Sequence, residues 1–150
     1  MKYDKAVEGW GRGDTLRACR IGSGNCTDFH SLFISLARAS GIPARFKIGA
    51  QIPADEAKGV LGYHCWAEFY EEGEWRPVDA SEAWKNPQRK EYYFGSADEN
   101  KFTLNLGRDI VLGDGKRANI FIYPYAELDG RPFEAVETRF YFENVKKKEV

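Results

Sequence analysis

The sequence predicts an α+β fold, a nucleophile-bearing helix packed on a largely antiparallel β-sheet, and three observations predict it. Between residues 26 and 40, Phe29, Leu32, Phe33, Leu36 and Ala37 recur at i, i+3, i+4, i+7 and i+8, one apolar stripe of a helix. From residue 44 the pattern changes to short runs of strand character, and Glu71-Glu72-Gly73-Glu74 joins two of them as a hairpin. Further strand candidates follow, and the sum is one long helix followed by a largely antiparallel sheet, an α+β architecture.

Each element has its own local cause. The first 25 residues are rich in glycine and charge, from Gly9-Trp10-Gly11-Arg12-Gly13-Asp14 to Gly22-Ser23-Gly24, and read as loop with a short helical turn over residues 15–19. The helix from Cys26 stops at Gly41, and Pro43 forbids its continuation. Residues 44–50 read as a strand, and residues 52–62, carrying Pro, Asp, Glu and Gly, as a loop overhanging a site. The hairpin comprises residues 64–70 and 75–80. Strands are then expected over residues 101–106, 119–125 and 136–143, separated by Gly113-Asp114-Gly115 and Asp129-Gly130.

The bulk composition removes several classes of function. A length of 150 residues with neither an internal repeat nor a dividing linker predicts one domain over residues 1–150. A net charge of −1 argues against nucleic acid or an anionic membrane as partner. The only basic run, Lys146-Lys147-Lys148, is expected to be a solvated tail. No apolar stretch approaches the roughly 20 residues of a membrane span. Met1-Lys2-Tyr3-Asp4 lacks the apolar core of a signal peptide, and three irregularly spaced cysteines do not make a disulfide framework, so a reducing, cytoplasmic setting is expected.

The chemistry-bearing residues are few, because the chain has two histidines and three cysteines. Cys26 falls at the N-terminus of the long helix, where unpaired N–H groups and the helix dipole stabilise a thiolate. It is the candidate nucleophile, and its backbone N–H a candidate oxyanion donor. If the hairpin turn centres near residue 72, His64 and Asp79 lie within about one residue of direct opposition on neighbouring strands. His64 is then the candidate base and Asp79 the group that orients it. His30 is the rival base, one helical turn from Cys26, but no partner for its second ring nitrogen is evident in the sequence.

Strand alternation turns Cys65 away from His64 and into the core. Cys19 has no assigned role. A zinc site from Cys19, Cys26, His30 and Cys65 lacks the close cysteine spacing of such sites, so no metal and no cofactor are expected. Trp10, Trp66, Trp75 and Trp84 are expected in the core or lining a cleft, and Trp10 could offer its indole N–H to an oxyanion.

Four segments in order resemble the transglutaminase-like superfamily, whose core is papain-like. They are Gly24-Asn25-Cys26-Thr27-Asp28-Phe29-His30, Ala39-Ser40-Gly41-Ile42-Pro43-Ala44-Arg45, Tyr63-His64-Cys65-Trp66-Ala67-Glu68-Phe69 and Trp75-Arg76-Pro77-Val78-Asp79-Ala80-Ser81. Weaker similarity continues through Tyr92-Tyr93-Phe94-Gly95 and residues 119–125, as in bacterial cysteine-protease-type members. The resemblance implies that Cys26, His64 and Asp79 form a catalytic triad working through a thioester. Such domains carry more chain before the nucleophile than the 25 residues here, so part of the usual N-terminal region is expected to be absent.

The superfamily includes proteases, peptide N-glycanases, protein cross-linkers and members without catalysis, and fold alone does not choose among them. The expected function is hydrolysis of amide bonds in a protein or peptide substrate. The alternatives are an amine-accepting protein transglutaminase and a binding module that keeps the fold without turnover.

Overall fold

The computed structural model describes residues 1–53, 59–60, 62–113, 115–118, 125–137 and 139–143. Its centre is a four-stranded antiparallel sheet made of β3 (Ala44–Gln51), β4 (His64–Glu71), β5 (Glu74–Val78) and β6 (Lys101–Leu106), in the order β5-β4-β3-β6. Against it lies the long helix α2 (Cys26–Ala39). This is the α+β arrangement expected. Two further helices, α1 (Thr15–Ile21) and α3 (Ala80–Lys85), pack on α2.

The core is the seam between α2 and the sheet. Ala44, Phe46 and Ile48 of β3 and Cys65, Ala67 and Phe69 of β4 alternate onto one face and meet Cys26 and Ile34. The central strand β4 is buried from His64 through Phe69, on both faces. On the opposite face, Glu68 is 5% exposed and is held by Arg45 and Lys47 at 2.8 and 2.5 Å.

The helix buries most of the stripe its apolar spacing predicts, with Phe29 buried and Phe33 and Ala37 packed on the core, and departs from it at Leu36. Leu36 is 61% exposed, whereas Cys26, His30 and Ile34 are buried. The first turn of α2 is buried all round, from Cys26 through Ser31, because the N-terminal segment closes over it. Asp28 makes that closure: its carboxylate accepts the N–H groups of Gly11 and Gly13 at 2.7 and 3.1 Å, and of Asn25 at 3.0 Å. Gly11 and Gly13 have φ of 77° and 64°, so the glycine run that reads as loop is a wrap fitted to the helix end. Within the wrap, β1 (Lys2–Tyr3) pairs in parallel with β2 (Ser23–Gly24).

The hairpin β4–β5 turns on Glu72 and Gly73, both at positive φ, the backbone of a two-residue type I′ connection. It pairs Glu71 with Glu74 and Ala67 with Val78. Continued by one pair, this register sets Asp79 opposite Trp66, two residues from His64 rather than one. The strand expected over residues 75–80 ends at Val78, where Asp79 caps α3 through a hydrogen bond from the Glu82 amide at 2.9 Å.

Between β3 and β6 the register shifts at Ile48/Gly49. A Cβ on Gly49 would come 1.8 Å from the Phe102 carbonyl oxygen, so the bulge requires glycine. The later glycine turns join short antiparallel pairs: β7 (Ile110–Val111) with β8 (Arg117–Ala118), and β9 (Glu127–Leu128) with β10 (Arg131–Pro132). Residues 119–124 of one expected strand lie outside the described residues, as do 54–58 and 61 of the expected loop and the basic run at 146–148. The described part of 136–143 carries no strand. Among the described residues no helix is long and apolar enough to cross a membrane.

Candidate active site

The site forms where the N-terminus of α2 meets the start of β4 and the end of β5. Asn25 caps α2, its side-chain oxygen accepting the Thr27 and Asp28 amides at 2.9 and 3.3 Å. The cap therefore takes the second and third amides of the helix rather than that of Cys26. Cys26 is 4% exposed. The neighbouring Cys65 thiol and His64 imidazole draw the Cys26 thiol well below its ordinary range against the opposing effect of burial.

His64 opens β4, and its Nε2 lies 2.6 Å from Asp79 Oδ2. That contact engages Nε2 of the ring and not Nδ1. The ring stacks on Trp66 with centroids 6.1 Å apart. Burial pulls the imidazolium down, but the Asp79 hydrogen bond and the neighbouring Cys26 outweigh it, and its pKa is pushed up to about 9.

Asp79 is 1% exposed and saturated with donors. Oδ1 accepts from the Ser81 hydroxyl at 2.8 Å and the Glu82 amide at 2.9 Å. Oδ2 accepts from His64 and from Lys101 Nζ, each at 2.6 Å. Burial would raise its pKa, but the adjoining imidazoles of His30 and His64 hold the carboxyl well below the usual carboxylate range.

The structure thus brings Cys26, His64 and Asp79 together, and it gives His30 different work. His30 Nδ1 donates to the Cys26 carbonyl at 2.7 Å, and Nε2 accepts the Ala80 amide at 3.1 Å. Both ring nitrogens are engaged, so this fully buried imidazole braces the turn that carries Cys26 against the strand–helix junction that carries Asp79. The partner for its second nitrogen is a backbone amide 50 residues away, which spacing in the sequence does not reveal.

Cys65 is in the core as alternation requires, yet it also touches the site, with Sγ 3.7 Å from Thr27 Oγ1 and 3.8 Å from His30 Nδ1. Burial pushes its thiol up, as does the Cys26 thiolate beside it. Cys19 is exposed on α1. Among the described residues no group of three or more His, Cys, Asp or Glu side chains is arranged to hold a metal ion. Trp66 is the tryptophan at the site; Trp84 packs on Tyr3 and Phe29, and Trp75 and Trp10 are partly exposed under the cations of Arg45 and Lys5. Lys101 is the site residue that sequence reasoning missed.

Residues 1–80 match the family model of the transglutaminase-like superfamily. The chain belongs to that superfamily. An uncharacterized protein of Haemophilus influenzae is 34% identical over 186 aligned positions, which take in 99% of this chain and 50% of the relative. The chain therefore spans about half the length of the curated relative it matches. Among solved structures, a protein of Cytophaga hutchinsonii proposed as a cysteine protease aligns with a TM-score of 0.46 and 18% identity, over 95% of this chain and 44% of that one. At the level of the superfamily, membership fits a cysteine-based enzymatic role for the transglutaminase-like core.

Proposed function

We propose that this transglutaminase-like chain is a cysteine hydrolase that cleaves amide bonds in proteins or peptides through a thioester on Cys26. The observation that carries the reading is the 2.6 Å contact of His64 Nε2 with Asp79 Oδ2 beside a thiol drawn toward thiolate. The Cys26 thiolate adds to the carbonyl carbon, and the backbone N–H of Cys26 at the helix N-terminus supports the developing oxyanion. His64 gives its proton to the departing amine, the C–N bond breaks, and the acyl group remains on sulfur. A water molecule then loses a proton to His64 and attacks the thioester, releasing the acid and the thiol. Asp79 keeps the imidazole oriented and its charged form stable through both halves.

The test is the pH dependence of iodoacetamide alkylation at each cysteine, read by peptide mass spectrometry. Cys26 is expected to react far faster than Cys19 and Cys65 near neutral pH and to lose that advantage in His64→Ala. Equal rates at Cys26 and Cys19 in the wild type would overturn the reading. With a reactive peptide ester, water should be the acceptor; capture of the acyl group by added primary amine, with little free acid, would point instead to a transglutaminase.

A further inference from the structure

Asp79 holds a second cation that the proposed chemistry does not use. Lys101 opens β6, at the edge of the sheet and two strands away from β4, and its side chain is only 2% exposed. Its Nζ reaches the same oxygen, Oδ2, that His64 contacts. The ammonium lies 5.8 Å from the Trp66 ring centroid and 5.3 Å from that of Tyr93, so aromatic faces rather than water surround its free sides. Its placement depends on the bulge at Gly49, where β6 closes on β3 one and two residues beyond Lys101.

We propose that Lys101 is a positioning residue: its charge fixes Asp79 Oδ2 against His64 and tempers the carboxylate's pull on the imidazolium, so that His64 releases its proton to a leaving amine. The inference rests on the roles of Cys26, His64 and Asp79 given above. An unopposed buried carboxylate at hydrogen-bond distance makes an imidazole strongly basic, and a strongly basic imidazole is a poor acid at neutral pH. A cation on the same oxygen offsets much of that pull. Among the described residues, the titratable groups facing this centre are Cys26 and His30 from α2, Tyr63 and Cys65 at the start of β4, Asp79 and Glu82 at the β5–α3 junction, Tyr3, Tyr93, and Lys101. Of these, Lys101 is the only lysine or arginine. It also balances Asp79, so the thiolate–imidazolium pair can form without leaving a net buried charge.

Two unit charges sharing one carboxylate oxygen interact strongly even at an effective dielectric of about 20. Removing the lysine charge should therefore raise the His64 titration by about one pH unit or more. The experiment follows the His64 imidazole by NMR and Cys26 alkylation by iodoacetamide across pH, in the wild type and in Lys101→Gln, Lys101→Met and Lys101→Arg. Gln keeps a donor to Oδ2 without the charge, and Arg keeps the charge. Gln and Met should both move the His64 titration and the alkaline limb of alkylation upward, while Arg restores the wild-type profile. A merely structural lysine would lower thermal stability without moving either titration.

A folded Lys101→Gln protein whose His64 titrates with the wild type would overturn the proposal; if Lys101→Met does not fold, the Gln variant carries the test. Failure of the underlying reading shows separately, as wild-type Cys26 reacting no faster than Cys19, because the NMR titration still reports what Lys101 does to His64.

Discussion

Replacing Asp79 by alanine should cost far more stability than any surface substitution, and the structure gives the magnitude. The carboxylate pairs with Lys101 at 2.6 Å, with side chains 1% and 2% exposed, so solvent screening does little to soften the loss. Removing one partner of such a buried pair leaves an uncompensated charge and costs about 3–5 kcal/mol. The same change removes the cap of α3, about 1 kcal/mol more. The sum, about 4–6 kcal/mol, is a large share of the roughly 5–15 kcal/mol that stabilises a domain. For a chain of this size it corresponds to a fall in Tm of roughly 10–20 °C. Asp79→Asn keeps a side-chain oxygen for the Ser81 hydroxyl and the Glu82 amide but still leaves the Lys101 ammonium without its counter-charge, so it should recover only the cap, about 1 kcal/mol. Urea titrations followed by circular dichroism give both values. An Asp79→Ala protein within about 1 kcal/mol of the wild type would show that the ammonium finds water or another acceptor, and the reasoning would fall.

Two further outcomes follow from the geometry. Gly49→Ala should destabilise by at least about 2 kcal/mol, because its new carbon meets the Phe102 backbone, whereas Gly113→Ala, with open space at that site, should stay within about 0.5 kcal/mol in the same titrations. Stability against pH should be nearly flat from about 6.5 to 8.5 and should drop below about 4. His64, with its pKa raised to about 9, contributes fully below its unfolded value and loses that contribution as pH rises through 9. Cys26, with its pKa lowered, gains its contribution as pH rises toward the ordinary thiol range, so the two slopes cancel. Asp79, with its pKa depressed, contributes above the ordinary carboxyl range and loses that contribution as pH falls. Cys26→Ser should remove the cancellation and make stability fall steadily from about pH 6.5 upward; a flat profile in that variant would refute the pairing.

How much of this was legible in the sequence depends on how local each cause is. The start of α2 was legible because Asn25 and Asp28 form a capping box within four residues and Gly41 and Pro43 end the helix. The hairpin was legible because its turn fixes its register, although reading the turn centre as residue 72 displaced the partner of Asp79. The helix α3 carried a signal that the strand reading overrode: Asp79 followed three residues later by Glu82 is a helix start, and the strand Trp75–Val78 feeds directly into it. Leu36 was misplaced although Phe29, Phe33 and Ala37 of the same stripe turn inward, because periodicity says which residues share a face but not how far around the helix its neighbours reach. Lys101 gave no signal at all. Its contact with Asp79 depends on β6 pairing with β3 through an irregular register, a property of the assembled sheet.

The two ends of α2 are held by different forces, and that difference bears on the chemistry. Toward Ala39 the helix rests on apolar contacts, Ile34, Phe33 and Ala37 against the sheet, which tolerate small shifts. Around Cys26 the buried groups are polar: Asn25, Thr27, Asp28, His30 and Ser31, with His64 and Asp79 opposite. Hydrogen bonds are directional, and an unmet buried one costs about 1–3 kcal/mol, so this end has few alternative arrangements of similar energy. His30 ties the Cys26 carbonyl to the Ala80 amide, and Asp28 ties the N-terminal wrap to the Asn25 amide at the same helix end. In the proposed acyl transfer the thiol would have to meet the acyl carbon within tenths of an ångström, and such a support would hold it there. The density of satisfied polar groups at one end of a single helix is therefore an argument for chemistry there, independent of which substrate arrives.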